Sequence, residues 1–404
     1  MPYMHLQSRT MTTKIFNITT IFSVKFTLIF VFLANSILFA QEHYYPEKKS
    51  EWETRKPEEV GMDSTLLKQA IDWAIENQNK GPKDLAEAIE TSWMQEPYFS
   101  ILGPTKRRGE ANGLVIRHGY IVAEFGNTKR VDMTFSVTKS FLSTVFALAL
   151  DNRLIKDVHE PVGNYVMDGS FDSEKNSPIT WHHLLNQTSD WEGTLFGKPD
   201  WADRPVGKRG EWKNRKKYAP GEHMKYNDVR VNLLAYSLLH VWRRPLPQIL
   251  RERVMEPIGA STTWRWHGYR NSWITLDGQE MQSVSGGGHW GGGMWISSRD
   301  QARFGYLFLR DGKWKEHQLI SKEWIKMLAV PTPVNPGYGY MWWLNTGQRS
   351  LRTAPESTYY ASGHGGNTIY VDPENDLVVV LRWVPQQDGV IQRVLASIKS
   401  KETE

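Results

Sequence analysis

The stretch "FSVTKSF", Phe135 to Phe141, places a serine, Ser136, three positions ahead of a lysine, Lys139. On a helix that spacing brings both side chains to one face, within reach of each other. A lysine that has lost its proton can take one from a serine hydroxyl, and burial near other cations lowers a lysine pKa enough for that role. The competing reading is structural: Ser136 caps a helix and Lys139 is an ordinary solvated charge. Seven residues alone favour the structural reading, because serine and lysine are common. Ninety positions beyond Ser136, however, "KYND" supplies Tyr226 and Asp228, and further on "SGHGGN" supplies His364 between glycines.

These residues need elements to hold them. "FLSTVFALAL", running on from Lys139, predicts a buried helix, and Tyr226 falls just ahead of the helical pattern "VRVNLLAYSLLHVW". Nearer the N-terminus, "EEVGMDSTLLKQAIDWAIENQ" has cap candidates in Asp63 and Ser64, and Leu66, Leu67, Ala70, Ile71 and Ala74 recur at helical spacing. "GLVIRHGYIVAEFG", Gly113 to Gly126, reads as a tight hairpin, and "NTIYVDP" with "LVVVLRWV" around "PEND" as a second. A closing helix is predicted from Val390 to Ser400. The order of strands, helices, strands and helix predicts an α/β protein of the α+β type. Its largely antiparallel sheet is built from both ends of the chain, and an all-helical domain is inserted between them. The expected division is 41–135 with 258–404 for the α/β part and 136–257 for the helical part. A loop at 190–223, rich in Gly, Pro, Trp and basic residues, is long enough to be a functional lid.

The chain of 404 residues is long enough for a substantial core. Lys14 and Lys25 precede the apolar run "FTLIFVFLANSILFA", which ends at Ala40 before polar sequence, the grammar of a signal peptide over 1–40. A periplasmic or secreted protein is therefore expected, with an N-terminal membrane anchor as the alternative. Cysteine is absent, which excludes disulfides, thiolate metal sites and a cysteine nucleophile. A formal charge of +5 is modest for this length and does not indicate nucleic acid binding. Among 18 tryptophans, Trp191, Trp201, Trp212 and Trp290 fall in loops, where a ring either packs the loop down or offers a flat face to a ligand.

Ser-x-x-Lys, then Tyr-x-Asn or a near variant, then a basic residue with x-Gly at a strand, is the signature of penicillin-recognising serine enzymes. The sequence resembles the class C beta-lactamase family, a broad group that includes D-alanyl-D-alanine peptidases, esterases and 6-aminohexanoate-dimer hydrolases. The resemblance extends through "EEVGMDSTLL", "ITWHHLLNQTSDW", "GKPDW", "MEPIGA", "GGGMWISSRDQARFG" and "YGYMWW", in the family's order. The look of "GKPDW" and "GGGMWISSRDQARFG" is nearer the esterase and dimer-hydrolase branch. The resemblance implies a beta-lactamase/transpeptidase-like fold and a serine hydrolase that works through an acyl-enzyme. By the same resemblance, Ser136 is the nucleophile, Lys139 its base, Tyr226 the phenol that shares the proton, and His364 a group orienting Tyr226 or the substrate. The oxyanion hole would be the amides of Ser136 and Asn367, with Gly365 and Gly366 letting the strand edge approach the substrate. Asp228 stands where the family commonly has Asn. An ionised aspartate only accepts hydrogen bonds, so it would hold Lys139 protonated and pass the basic duty to Tyr226.

The long loop carries Lys208, Arg209, Lys213, Arg215, Lys216 and Lys217 with Trp201 and Trp212. One reading is a solvated face. The other is a cationic, aromatic lid in which Trp201, Trp212, Lys213 and Arg215 meet an anionic or carbohydrate-linked ester or amide. No Gly-x-Ser-x-Gly elbow, His-Glu-x-x-His or Walker loop occurs, and "GGGHWG" at Gly286 to Gly291 lacks the strand, helix and acidic residue of a dinucleotide site. His182 and His183 are adjacent and point apart, which argues against a shared metal. No cofactor is expected. Besides ester or amide hydrolysis, the residues leave open a beta-lactamase, a D-alanyl-D-alanine peptidase, and a catalytically silent binding protein on the same fold.

Overall fold

The two predicted hairpins lie side by side in one sheet. The computed structural model describes residues 43–48 and 51–399, so the expected export segment lies outside the described residues. The strands that matter for the site are β1 (Asn112–Arg117), β2 (Tyr120–Phe125), β3 (Asp132–Met133), β4 (Arg265–Leu276), β5 (Gln279–Val284) and β6 (Gly293–Ile296). They continue with β7 (Tyr338–Gly339), β8 (Trp342–Leu344), β9 (Tyr359–Gly363), β10 (Asn367–Asp372) and β11 (Leu377–Arg382). The large sheet has the order β7-β8-β9-β10-β11-β1-β2, every pair antiparallel, so β1 from one end of the chain zips onto β11 from the other. A smaller sheet, β3-β6-β4-β5, lies next to the segment that leads into Ser136.

The period of two along the central strands decides which core each side chain joins. Leu114, Ile116, Ile369, Val378 and Val380 enter one apolar cluster, whereas Val115, Tyr370, Val379 and Leu381 enter another on the opposite face. That second face is covered by α1 (Ser64–Glu76), capped by Asp63, and by the closing helix Gln387–Ala396.

Four more helices build the site: α2 (Leu85–Trp93), α3 (Thr138–Asp151), α4 (Trp181–Leu185) and α5 (Asp228–Trp242). Next come α6 (Ser298–Leu309) and α7, the closing helix. Apolar residues surround α3 on all sides, which is the pattern of a helix sunk in the core rather than laid on it. Phe141 of α3 stacks on Phe304 of α6 with ring centroids 4.0 Å apart. The helical stretch 136–257 thus shares one continuous apolar core with the sheet, and the described residues from Tyr44 to Lys399 form one compact unit. It is not wholly helical either: a ribbon of Thr194–Leu195 with Lys198–Pro199 opens the long loop. Among the described residues no helix is long and apolar enough to cross a membrane.

Candidate active site

Ser136 does not cap a helix. It sits in a tight 3-10 turn, Phe135–Val137, which joins β3 to α3, and the capping position of α3 falls to Val137, whose side chain makes no cap bond. Phe135 holds a left-handed backbone with φ of 49°. That conformation costs about 1–2 kcal/mol for a bulky residue and persists only where packing enforces it. The packing comes from Trp93, His364 and Trp383, whose rings lie 6.3, 5.2 and 6.4 Å from that of Phe135.

Lys139 follows one turn later and is buried, so the solvated reading of the lysine does not hold. Its Nζ donates to Ser136 Oγ at 3.0 Å and to Asp228 Oδ1 at 2.6 Å, and lies 4.7 Å from the centre of the Tyr226 ring. Burial alone would lower the Lys139 pKa, but the Asp228 carboxylate and the Tyr226 phenol outweigh it and raise the group above the usual lysine value. Asp228 opens α5, after the cap residue Asn227, and a helix N-terminus favours a carboxylate. Burial works against its charge; Lys139 and Arg204 more than offset that and hold the carboxyl well below the usual range. The pair is therefore an ammonium and a carboxylate in a dry interior.

Around it lies a polar network that the sequence did not announce. Arg204, from the long loop, donates through Nη1 to Asp228 Oδ2 at 2.8 Å and to Asp203 Oδ1 at 2.7 Å. Its Nη2 donates to His289 Nδ1 at 3.0 Å, and His289 Nε2 donates to Glu96 Oε2 at 2.6 Å. Asp203 also accepts from the Asp228 amide. Burial keeps His289 below the usual imidazole pKa despite its bond to Glu96, and its Nδ1 is the acceptor for the Arg204 guanidinium. Glu96, Asp203 and His289 bring potential metal-ligand atoms within 4.8 Å of one another, but the guanidinium of Arg204 already bonds Asp203 and His289 and supplies the positive charge there. The glycine run read only as a failed dinucleotide motif explains part of the geometry. A Cβ on Gly287 would land on Asp228 Oδ1 and Lys139 Nζ, so only glycine lets this backbone cover the ion pair.

Tyr226 packs against Trp343 and Tyr338, with centroids at 5.9 and 6.3 Å. His364 does not meet Tyr226: its Nε2 lies 3.3 Å from Ser92 Oγ and its ring 4.7 Å from Trp93. Although part of its surface is exposed, crowding by these rings and the charge of Arg204 lower its pKa. Gly365 and Gly366, with φ of 83° and 91°, make the turn between β9 and β10. Asn367 ties that turn together, donating to His364 O at 2.7 Å and accepting from Arg382 Nε at 2.6 Å. The backbone that runs beside the nucleophile belongs to its cross-strand partner, Gly363. A Cβ there would strike Thr134 O and stand 3.2 Å from the amides of Ser136 and Val137. Gly363 therefore packs directly on the backbone of the Ser136 turn, with Asn367 paired across from it.

The expected lid is only partly one. Arg215 turns inward, its side chain 12% exposed, and pairs with Asp190 at 2.7 Å and Asp200 at 2.9 Å. Buried Arg230 bonds the same two carboxylates at 2.9 and 3.1 Å. Arg215 is therefore a staple at the base of the loop, not a ligand contact. Lys213, Lys208 and Arg209 face solvent. Trp201 meets Tyr98 edge-on at 5.6 Å, and the Trp212 indole donates to Gly207 O at 3.0 Å. Trp191 and Trp290 are core residues.

Comparison with known proteins agrees with this architecture. A family model described as Beta-lactamase matches residues 67–388. An uncharacterised protein of Alkalihalophilus pseudofirmus is 23% identical over 275 residues, covering 61% of this chain and 71% of that protein. A family VIII carboxylesterase superposes with a TM-score of 0.55 at 14% identity, covering 86% of this chain and 100% of that one. The octameric penicillin-binding protein homologue from Pyrococcus abyssi does so with a TM-score of 0.55 at 17% identity, covering 85% and 79%. These structural likenesses establish the fold. Because the family match takes in the turn of Ser136 and Lys139, the helix start at Asp228 and the β9–β10 edge together, the chain belongs to the beta-lactamase family and is a serine hydrolase with its mixed α/β fold.

Proposed function

We propose that the protein cleaves a carboxylic ester or short amide through an acyl-enzyme on Ser136, and that it does so after export directed by residues 1–40. The observation that carries the chemistry is the chain Ser136–Lys139–Asp228, half-buried at the serine and buried beyond it, with links of 3.0 and 2.6 Å. Lys139, held as an ammonium, orients Oγ and cannot accept a proton until it gives one up. Tyr226, packed against the same ammonium, is the neighbouring oxygen acid that shares the duty. Once the Lys139–Tyr226 pair has released one proton to solvent, Oγ attacks the carbonyl carbon and its own proton passes into the vacated place in that pair. The developing oxyanion is held at the Ser136 amide and at the Asn367 amide on the β9–β10 edge. The C–O or C–N bond then breaks, the leaving group takes the proton, and water hydrolyses the acyl-serine.

Lactam recognition by a side-chain amide has no donor at Asp228, which supports the ester and amide reading over a lactamase. The test combines a fluorophosphonate probe with peptide mass spectrometry, beside a panel of chromogenic esters, amides, acetylated sugars and a cephalosporin. The expected result is an adduct on Ser136 and turnover of esters or amides that Ser136→Ala abolishes. A folded protein without an adduct would falsify the enzyme reading, and cephalosporin turnover above that of every ester and amide would replace the substrate class.

A further inference from the structure

We propose that Arg204, delivered by the loop 190–223, is a positioning residue that shares the Asp228 carboxylate with Lys139 and so sets how readily the Ser136 site loses a proton. The inference rests on the reading of Ser136 and Lys139 as the reacting pair. Asp228 uses its two oxygens for two cations: Oδ1 for Lys139 at 2.6 Å and Oδ2 for Arg204 at 2.8 Å. A carboxylate engaged by Lys139 alone would bind that ammonium's proton tightly. A second cation on the other oxygen offsets much of the negative charge without moving the carboxylate. Arg204 lies 5.3 Å from the Tyr226 ring, so the same charge reaches both groups that handle the serine proton.

The loop is built to hold this side chain in place. Arg204 has a left-handed backbone with φ of 46°, and its amide donates to Glu96 Oε1 at 3.1 Å. Asp203, buried beside it, binds both the guanidinium and the Asp228 amide. His289, Trp93 and Tyr226 close the remaining sides. A strained residue fixed by neighbours on every side at a reacting centre is the usual mark of a position kept for function. The charged and titratable groups facing the Lys139–Tyr226 pair directly or through Arg204 and Asp228 are Asp228, Asp203, His289, Glu96, His364, Tyr338 on β7, Tyr269 on β4 and, beside Asp203, Lys225. Arg204 opposes the rise that Asp228 imposes on Lys139.

The readout is the pH profile of fluorophosphonate labelling at Ser136 in the full-length chain, which needs no known substrate. Arg204→Gln is expected to displace the rising limb to higher pH by about one unit, lowering the rate at neutral pH about tenfold. Asp228→Asn is expected to displace it to lower pH, and the double variant to return towards the wild-type profile. Arg204→Lys is expected to keep the limb near its original place. The sign is the same whether Lys139 or Tyr226 finally holds the proton, because both lie beside Arg204. If folded Arg204→Gln leaves the limb unmoved, the proposal is overturned. If that variant does not fold, the double variant and Asp228→Asn decide: coincident profiles overturn the proposal, and a double variant displaced to higher pH supports it. Failure of the wild type to label at Ser136 would instead remove the underlying reading.

Discussion

An ammonium held 2.6 Å from a carboxylate and 3.0 Å from a serine hydroxyl leaves almost no free volume around it. Gly287 is where that crowding is greatest, because its backbone lies directly over the pair. Gly287→Ala forces a methyl group against two buried charges, and overpacking of this kind costs about 1–3 kcal/mol. The expected outcome is a lower melting temperature together with a loss of Ser136 labelling of at least about tenfold. Labelling at the wild-type rate would show that Lys139 and Asp228 can separate without consequence. Much of this residue-scale chemistry was legible: spacing marks Ser136 and Lys139, and the family resemblance adds Tyr226 and Asp228. The sequence did not reveal that the buried polar set continues through Arg204, Asp203, His289 and Glu96, because none of these stands in a recognisable local pattern.

At the scale of elements, the long loop behaves as a clamped arm rather than a free flap. Arg230 of α5 and Arg215 of the loop hold Asp190 and Asp200 together. Removing one partner of a buried ion pair leaves charge uncompensated and costs about 3–5 kcal/mol. Arg230→Met is therefore expected to lower the free energy of unfolding in urea by that amount and to expose the loop to limited proteolysis. Unchanged stability would mean that the loop is anchored elsewhere. The exposed cations Lys208, Arg209 and Lys213 remain available to a ligand. Their joint reversal to Glu is expected to raise KM for anionic esters about tenfold and to leave neutral esters nearly unchanged. Equal effects on both would discard an electrostatic role. The basic composition of this loop was plain from the sequence, but whether a given arginine pointed out or in depended on distant acids.

Across the whole molecule, Arg382 joins the two sheets where they flank the nucleophile. From β11 it donates to Ile296 O at 2.9 Å on β6, to Met133 O at 2.8 Å on β3, and to Asn367 Oδ1 at 2.6 Å on β10. Arg382→Leu would strand these acceptors in a dry interior, at about 1–3 kcal/mol each. We expect a loss of roughly 3 kcal/mol or more in denaturant unfolding, with slower Ser136 labelling in the folded fraction, because the turn of Ser136 follows Met133 directly. A stable variant with normal labelling would show that the sheets do not depend on this joint.

Taken by itself, the sequence determined the elements, and its family resemblance singled out the pair at the centre. Caps, period-two strands and the hairpins at "RHGY" and "PEND" are short-range patterns, and Ser136 and Lys139 share one turn of chain. It also implied a sheet drawn from both ends, since apolar strands must find partners. Only the tertiary structure decided that Gly363 packs on the turn of the nucleophile, that Arg215 faces inward, and that Arg204 enters the site. The physical reason is separation: Lys139 and Asp228 are 89 positions apart, and Glu96 and His289 are 193 apart. A buried charge network is fixed by which groups meet in the low-dielectric interior, and no local spacing records that meeting.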